Sequence, residues 1–353
     1  MKKVLALNSG STIAVISPSW GGPASFPWVY ELGINRLKKD FGFRIKEYPT
    51  TMSDATHNYK HPEKRALDLI EAFQDESVDG IICSIGGDDA VRLLPYLDKY
   101  DFLPKFFMGY SDSTVLLVYF HQRGFCTFHG PSVMAGFAEP GKLTNEFYNH
   151  IKTFLTEKWE TYCYSPYKKW TEKPMNWSDS NSLKISRNYQ KNEGWEVLGI
   201  SENQSIEVSG MLWGGCLEAL EFIKGTKYWP ASDTFWEDKI LFLEISDEGL
   251  GYNQIKFMLR NYGTQGVFSK IQALLVGRFV KVTPEEKKQL KKIISDIIHG
   301  EFSSTIPVIM DMDFGHTYPQ QIMPLGARAT VNIHKGNSSI SIETPFIHQE
   351  VAK

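Results

Sequence analysis

A serine stands where an apolar run turns into a helical pattern: Phe106-Phe107-Met108-Gly109-Tyr110-Ser111-Asp112-Ser113-Thr114, then the apolar stretch 115–120. Strand, sharp turn and helix in that order lift a hydroxyl clear of a sheet. They also aim the first backbone N–H groups of the helix at the same point. Attack on a carbonyl needs both, an oxygen to add and an amide to hold the oxyanion. The competing use of Ser111 is an ordinary helix N-cap. A serine nucleophile further requires a base and an acid to orient that base. Of nine histidines, His316 is the strongest candidate base, because it follows the apolar run 307–312 and Gly315. Glycine there lets the backbone bend so that the imidazole faces a cleft. His129, before Gly130-Pro131, is a reserve candidate; His121 reads as structural, and His57 and His61 fall in a polar loop. Glu244 ends the apolar run Ile240-Leu241-Phe242-Leu243 and leads as orienting acid, with Asp247 and Glu248 as alternatives. Gly86-Gly87 can bring a backbone amide to an oxyanion beside the N–H of Asp112.

The elements that must carry these residues are legible from patterning. β-branched or apolar runs at 12–17, 44–48, 79–84 and 106–109 alternate with helical spacing at 27–39, 62–74 and after Asp89 and Ser111. In the helix opened by Pro62, Leu67, Ile70 and Phe73 are expected on one face. Such alternation implies parallel βαβ units, whose sites lie at the carboxyl ends of the strands. Gly86 and Ser111 both follow strand ends and fall on that edge. Residues 166–204 are polar and aromatic with weak periodicity, as in a binding loop or lid. Regular patterning resumes near Val208, with strands expected at 240–245, 271–276, 307–312, 329–334 and 338–343 and helices at 217–222, 253–260 and 285–298. The fold class expected is α/β, in two domains, 1–165 and 208–353, joined by 166–207.

The 353 residues are 42% hydrophobic, enough for a large core, and the formal net charge of -3 offers no basic excess for a nucleic-acid polymer. Cys83, Cys126, Cys163 and Cys216 are scattered without a C-x-x-C pair, a usage that fits a reducing, cytoplasmic setting. No membrane span or signal peptide is expected. Two rival readings stand beside the hydrolase. Asp311, Asp313 and His316 carry ligand-type side chains for metal-assisted hydrolysis. The aromatic middle segment also suits a non-catalytic small-molecule binder.

Taken together, these segments resemble one family. Gly86-Gly87-Asp88-Asp89 with Arg92-Leu93-Leu94-Pro95, Gly109-Tyr110-Ser111-Asp112, Leu243-Glu244, and Gly315-His316 with Leu325-Gly326-Ala327 match in order and spacing the serine peptidases that include LD-carboxypeptidases and microcin C immunity proteins. The opening 10–19 is similar too. The resemblance implies a Ser111–Glu244–His316 triad and an oxyanion hole from the amides of Gly86 and Asp112, with Gly87 beside the substrate. It implies an N-terminal flavodoxin-like domain, a C-terminal β-rich α/β domain, a homodimer, and no metal or cofactor. Its substrates are murein tetrapeptides losing a terminal D-alanine, or aminoacyl-nucleotide amides. The stretch from Trp170 to Trp195 resembles the second branch, where a loop tryptophan stacks on the nucleobase; Trp177 is the candidate and Trp195 the alternative. One departure is Gly214-Gly215-Cys216-Leu217, where the family often has asparagine for Cys216. Glu248 is expected to face substrate and to disfavour an acidic aminoacyl side chain.

Overall fold

The computed structural model describes residues 1–172, 175–201, 204–230, 232–334 and 337–348. After the two-residue strand Val4–Leu5, which pairs with Phe346–Ile347, come β1 (Thr12–Ile16), β2 (Arg44–Glu47), β3 (Gly80–Cys83), β4 (Phe106–Gly109) and β5 (Thr127–His129). Next come β6 (Thr161–Tyr164), β7 (Glu196–Leu198), β8 (Ser205–Cys216), β9 (Lys239–Glu244) and β10 (Ala273–Gly277). The last are β11 (Val308–Met312), β12 (Met323–Leu325), β13 (Arg328–His334) and β14 (Asn337–Glu343).

They build two principal sheets. The first has the order β12-β5-β4-β3-β1-β2, parallel except for β12. Read from the opposite edge, its five parallel strands run 2-1-3-4-5, the flavodoxin-like order. β3 and β4 are buried along their whole length, which is why both read as unbroken apolar runs. The second sheet has the order β7-β11-β10-β9-β8-β13-β14-β6, with a parallel centre β8 to β11 and antiparallel flanks. Two strands join the sheet remote from their chain neighbours. β6 completes the second sheet, while β12, from the C-terminal third, pairs with β5 in the first.

The helix Thr114–Gln122 explains why the sheets stay together. Thr114 to His121 are all buried, because the helix packs on β4 and β5 on one side and on β8 and the helix Leu217–Glu221 on the other. A helix apolar all round is one with no solvent face. Elsewhere amphipathic spacing holds. In the helix Pro62–Gln74 the buried apolar face is Ala66, Leu69, Ile70 and Phe73. Leu67, expected on that face, is exposed, since it lies on the stripe of Glu63, Lys64, Glu71 and Gln74, all exposed, with only its i+3 neighbour Ile70 buried. His57 lies not in a loop but on a short helix, Ala55–Lys60, capped by Asp54, whose carboxylate accepts from the His57 N–H at 2.9 Å; His61 follows it. Among the described residues no helix is long and apolar enough to cross a membrane.

Candidate active site

Four strand ends meet at one crevice. β3 leads to Gly86, β4 to Ser111, β9 ends in Glu244, and β11 leads to His316. Ser111 has φ 57°, left-handed and uncommon for a residue with a Cβ. Holding it there costs on the order of 1–3 kcal/mol, which the surrounding core must over-determine. Its side chain caps nothing. The hydroxyl instead lies 3.2 Å from His316 Nε2, and His316 Nδ1 lies 2.6 Å from Glu244 Oε2. Gly315 has φ 94°, and a Cβ there would sit 2.7 Å from Glu244 Oε2, so glycine is required for the loop to pass the carboxylate. The Tyr110 ring leans on the imidazole, 5.0 Å between centroids.

The charges reinforce this order. Burial would raise the Glu244 carboxyl, but the charge of His316 and hydrogen bonds from His129 and His316 outweigh it and hold it at about 2. Burial would lower the His316 imidazole; the Glu244 carboxylate more than offsets that and raises it above its ordinary value. The arrangement can therefore pass a proton from a serine hydroxyl to an imidazole and stabilise the imidazolium that results.

Gly86 packs against the turn that carries Ser111. A Cβ on Gly86 would lie 3.2 Å from Ser111 Oγ and 3.5 Å from the Asp112 nitrogen, so the Gly86 backbone, Ser111 Oγ and the Asp112 amide share one small space. The Asp112 carboxylate accepts from the Ala90 N–H at 2.8 Å, and burial pushes it up to about 6. Arg65, 1% exposed, donates through both terminal nitrogens to Asp89 at 2.9 Å and to the Pro18 carbonyl at 2.6 Å. The glycine loop is thereby stapled to the end of β1.

The crevice opens into a cavity of about 430 Å³ lined by Ser111, His316, Gly86, Gly87, Trp177 and Glu248, among others. That volume suits a small-molecule ligand. Trp20 and Trp177 lie on its wall with ring planes 8° from parallel and centroids 6.4 Å apart. Trp28 Nε1 donates to the Trp177 carbonyl at 2.9 Å, holding the middle segment against the first sheet's helix Pro27–Lys39. Glu172, Asp247 and Glu248 give the cavity an acidic side. Deeper, Glu139 is 1% exposed and pairs with Arg187 at 2.5 Å; burial pushes its carboxyl up to about 7 against the pull of Arg187 and Arg36.

Other expected residues lie elsewhere. Trp195 is turned from the cavity and donates to Asp313 Oδ2 at 2.9 Å. The Cys216 thiol is buried, 3.4 Å from Glu218, and does not line the cavity. Asp311 is paired with Lys287 and Lys291, and Asp313 with Arg278, so the three ligand-type side chains are committed to separate partners. Among the described residues no group of three or more His, Cys, Asp and Glu side chains is arranged to hold a metal ion. Burial holds the His121 imidazole at about 3, in keeping with a structural role. Sequence reasoning missed Trp20, Glu139, Glu172 and Arg187; their types carry no local signal, and only the fold brings them to one wall.

The LD-carboxypeptidase N-terminal domain family matches residues 13–130, and its C-terminal domain family residues 209–331. The chain belongs to the LD-carboxypeptidase family. A putative carboxypeptidase of Vibrio cholerae is 28% identical over 97% of this chain and 98% of its own. The microcin C7 self-immunity protein MccF of Escherichia coli is 27% identical over 97% and 95%. A crystal structure of an MccF-like protein from Streptococcus pneumoniae in complex with AMP is similar with a TM-score of 0.84, at 32% identity over 95% of this chain and 99% of that one. MccF in complex with glutamyl sulfamoyl guanosine has a TM-score of 0.82, at 26% identity over 97% and 98%. The sheet order and the family agree on an α/β serine peptidase fold.

Proposed function

We propose that this LD-carboxypeptidase family hydrolase cleaves the amide of an aminoacyl-nucleotide, a sulfamate or phosphoramidate, as microcin C immunity proteins do. Ser111 attacks the carbonyl, His316 takes its proton, and Glu244 orients and stabilises the imidazolium. The amides of Gly86 and Asp112 hold the oxyanion. His316 then protonates the leaving nitrogen, and water releases the acyl group by the same route in reverse. The observation that carries this reading is the unbroken hydrogen-bonded series from Ser111 Oγ through His316 to Glu244, at 3.2 and 2.6 Å. The nucleotide preference is supported by the parallel Trp20 and Trp177 rings on the cavity wall, a surface for stacking a base, and by the AMP and sulfamoyl-nucleoside complexes of relatives. The acidic side formed by Glu172, Asp247 and Glu248 favours an aminoacyl group with a neutral or basic side chain.

Release of terminal D-alanine from a murein tetrapeptide is the second reading, favoured by the carboxypeptidase names of relatives such as that of Vibrio cholerae. The scattered free cysteines support a cytoplasmic setting. The family resemblance supports a homodimer, and a division into units 1–165 and 208–353 with 166–207 as linker and substrate loop. The test is a hydrolysis panel: aminoacyl sulfamoyl adenosines bearing acidic, neutral and basic amino acids against a murein tetrapeptide, with Ser111→Ala as control. Turnover of the sulfamates, abolished in Ser111→Ala, is the expected result. Turnover of the tetrapeptide alone transfers the assignment to the second reading, and activity retained by Ser111→Ala rejects the mechanism.

A further inference from the structure

One buried histidine reaches this constellation without lining the cavity. His129 closes β5 and Glu244 closes β9, so they come from different sheets. Their side chains are each 1% exposed, and His129 Nε2 lies 3.4 Å from Glu244 Oε1. Glu244 thus stands between two imidazoles, with Oε2 toward His316 and Oε1 toward His129. We infer that His129 is a positioning residue for Glu244, donating from Nε2 to Oε1 and thereby fixing the carboxylate that orients His316. The inference rests on the Ser111–His316–Glu244 reading above.

The physical need is specific. A carboxylate's terminal torsion is broad and roughly two-fold, so a single bond to His316 leaves the group free to rock. A second donor on the other oxygen removes that freedom. The His129 ring cannot rock in turn, because Phe242, Tyr110 and Phe314 meet it edge-on at 5.7, 6.1 and 6.4 Å between centroids. Its Nδ1 is buried and has no hydrogen-bond partner among the described residues. That places the ring proton on Nε2, since a proton on Nδ1 would be a buried donor with no acceptor. His129 is therefore the donor and Glu244 Oε1 the acceptor of this bond. Register adds a geometric link. His129 pairs with Gly109 across β5 and β4, two residues before Ser111. One bonded path then sets the spacing from nucleophile to acid across the gap between the sheets.

The test compares His129→Leu, which removes the donor, with His129→Gln, whose amide can reach the same oxygen. Both are assayed on an aminoacyl sulfamoyl adenosine and by the rate at which a fluorophosphonate labels Ser111. A misplaced orienting group costs on the order of 10²-fold in rate. His129→Leu should lose about that in kcat and in labelling while KM stays within about threefold, and His129→Gln should recover about tenfold or more of the loss. The downfield Nδ1 proton signal of His316 should shift in the leucine variant and return in the glutamine variant. Wild-type kcat in His129→Leu, or equal loss in both variants with unchanged melting, overturns the inference. Should His129→Leu fail to fold, His129→Asn, too short to reach Glu244, replaces it under the same expectations. Inactivity of Ser111→Ala with a fully active His129→Leu removes only this inference; activity of Ser111→Ala removes the reading beneath it.

Discussion

The edge that carries Ser111 and the middle segment that carries Trp177 solve opposite problems. At the edge, burial leaves little freedom. Arg65 and Asp89 pair bidentately, Asp112 accepts from Ala90, and Thr114 accepts from the Cys216 N–H at 3.1 Å. The described residues of the middle segment are largely exposed and include a two-stranded ribbon, Lys169–Trp170 with Gln190–Lys191, a 3-10 helix at Ser180–Lys184 and the edge strand β7. It is tied down by separate polar tethers: Trp28 to the Trp177 carbonyl, Arg187 to Glu139, Thr171 bridged to Tyr318, and Asn192 and Trp195 to Asp313. The contrast teaches that the Ser111–His316–Glu244 geometry is over-determined by packing, while the cavity wall that bears Trp177 hangs on a few replaceable contacts. On the proposed function, substrate preference can change there without disturbing the hydroxyl, the imidazole or the carboxylate.

Breaking the edge should be far more damaging than altering the segment. Glu244→Gln is expected to lower kcat by about 10⁴-fold, as when an orienting acid loses its charge and imposes the wrong tautomer. The same variant sharpens the electrostatic argument. His316 must be neutral to accept a proton, and Glu244 raises its pKa, so wild-type kcat/KM should climb with pH through a midpoint above 6.5. Removing the carboxylate charge should move that midpoint downward; an unmoved acid limb would assign it to another group. Arg65→Met removes the buried partner of Asp89 but leaves it the partly exposed Arg92, and should cost about 3 kcal/mol, the lower end for a broken buried pair, read from urea unfolding.

Changes on the segment should leave stability and chemistry nearly intact. Trp177→Ala removes a stacking surface worth about 1–3 kcal/mol. It should raise KM for aminoacyl sulfamoyl adenosine about tenfold with kcat unchanged, and leave a murein tetrapeptide unaffected. The smallest effect belongs to a residue outside the segment, Glu248 in the loop after β9 on the cavity's acidic side, in the variant Glu248→Gln. Acidic aminoacyl substrates should gain about threefold in kcat/KM and basic ones lose about as much, a rim-charge effect. Equal turnover of acidic and basic substrates by the wild type would remove that role.

The βα alternation of the first half was legible because its central strands β1, β3 and β4 are buried apolar runs and its outer helices keep a 3.6-residue stripe. Gly86, Ser111, Glu244 and His316 were legible because each follows an apolar run, and carboxyl ends of parallel strands converge. The helix Asn145–Thr156 and the strand β6 were not picked out, although Thr144 caps that helix by accepting from the Phe147 N–H at 3.3 Å. β6 is partly exposed and polar at its start, so it shows no buried run. His129 was kept only as a reserve base. Its bond to Glu244 joins residues 115 positions apart, and no local pattern records such a distance.

Short-range patterning along the chain was enough to decide where strands end, which turns need glycine, and which side chains of the right chemistry stand at those ends, because backbone sterics and the burial of apolar faces act over a few residues. Which oxygen of Glu244 meets which imidazole, and which tryptophan faces the cavity, was decided only when the two sheets closed on the shared helix Thr114–Gln122. Hydrogen bonds and stacking depend on ångström-scale separations between segments, and those separations exist only in the packed molecule.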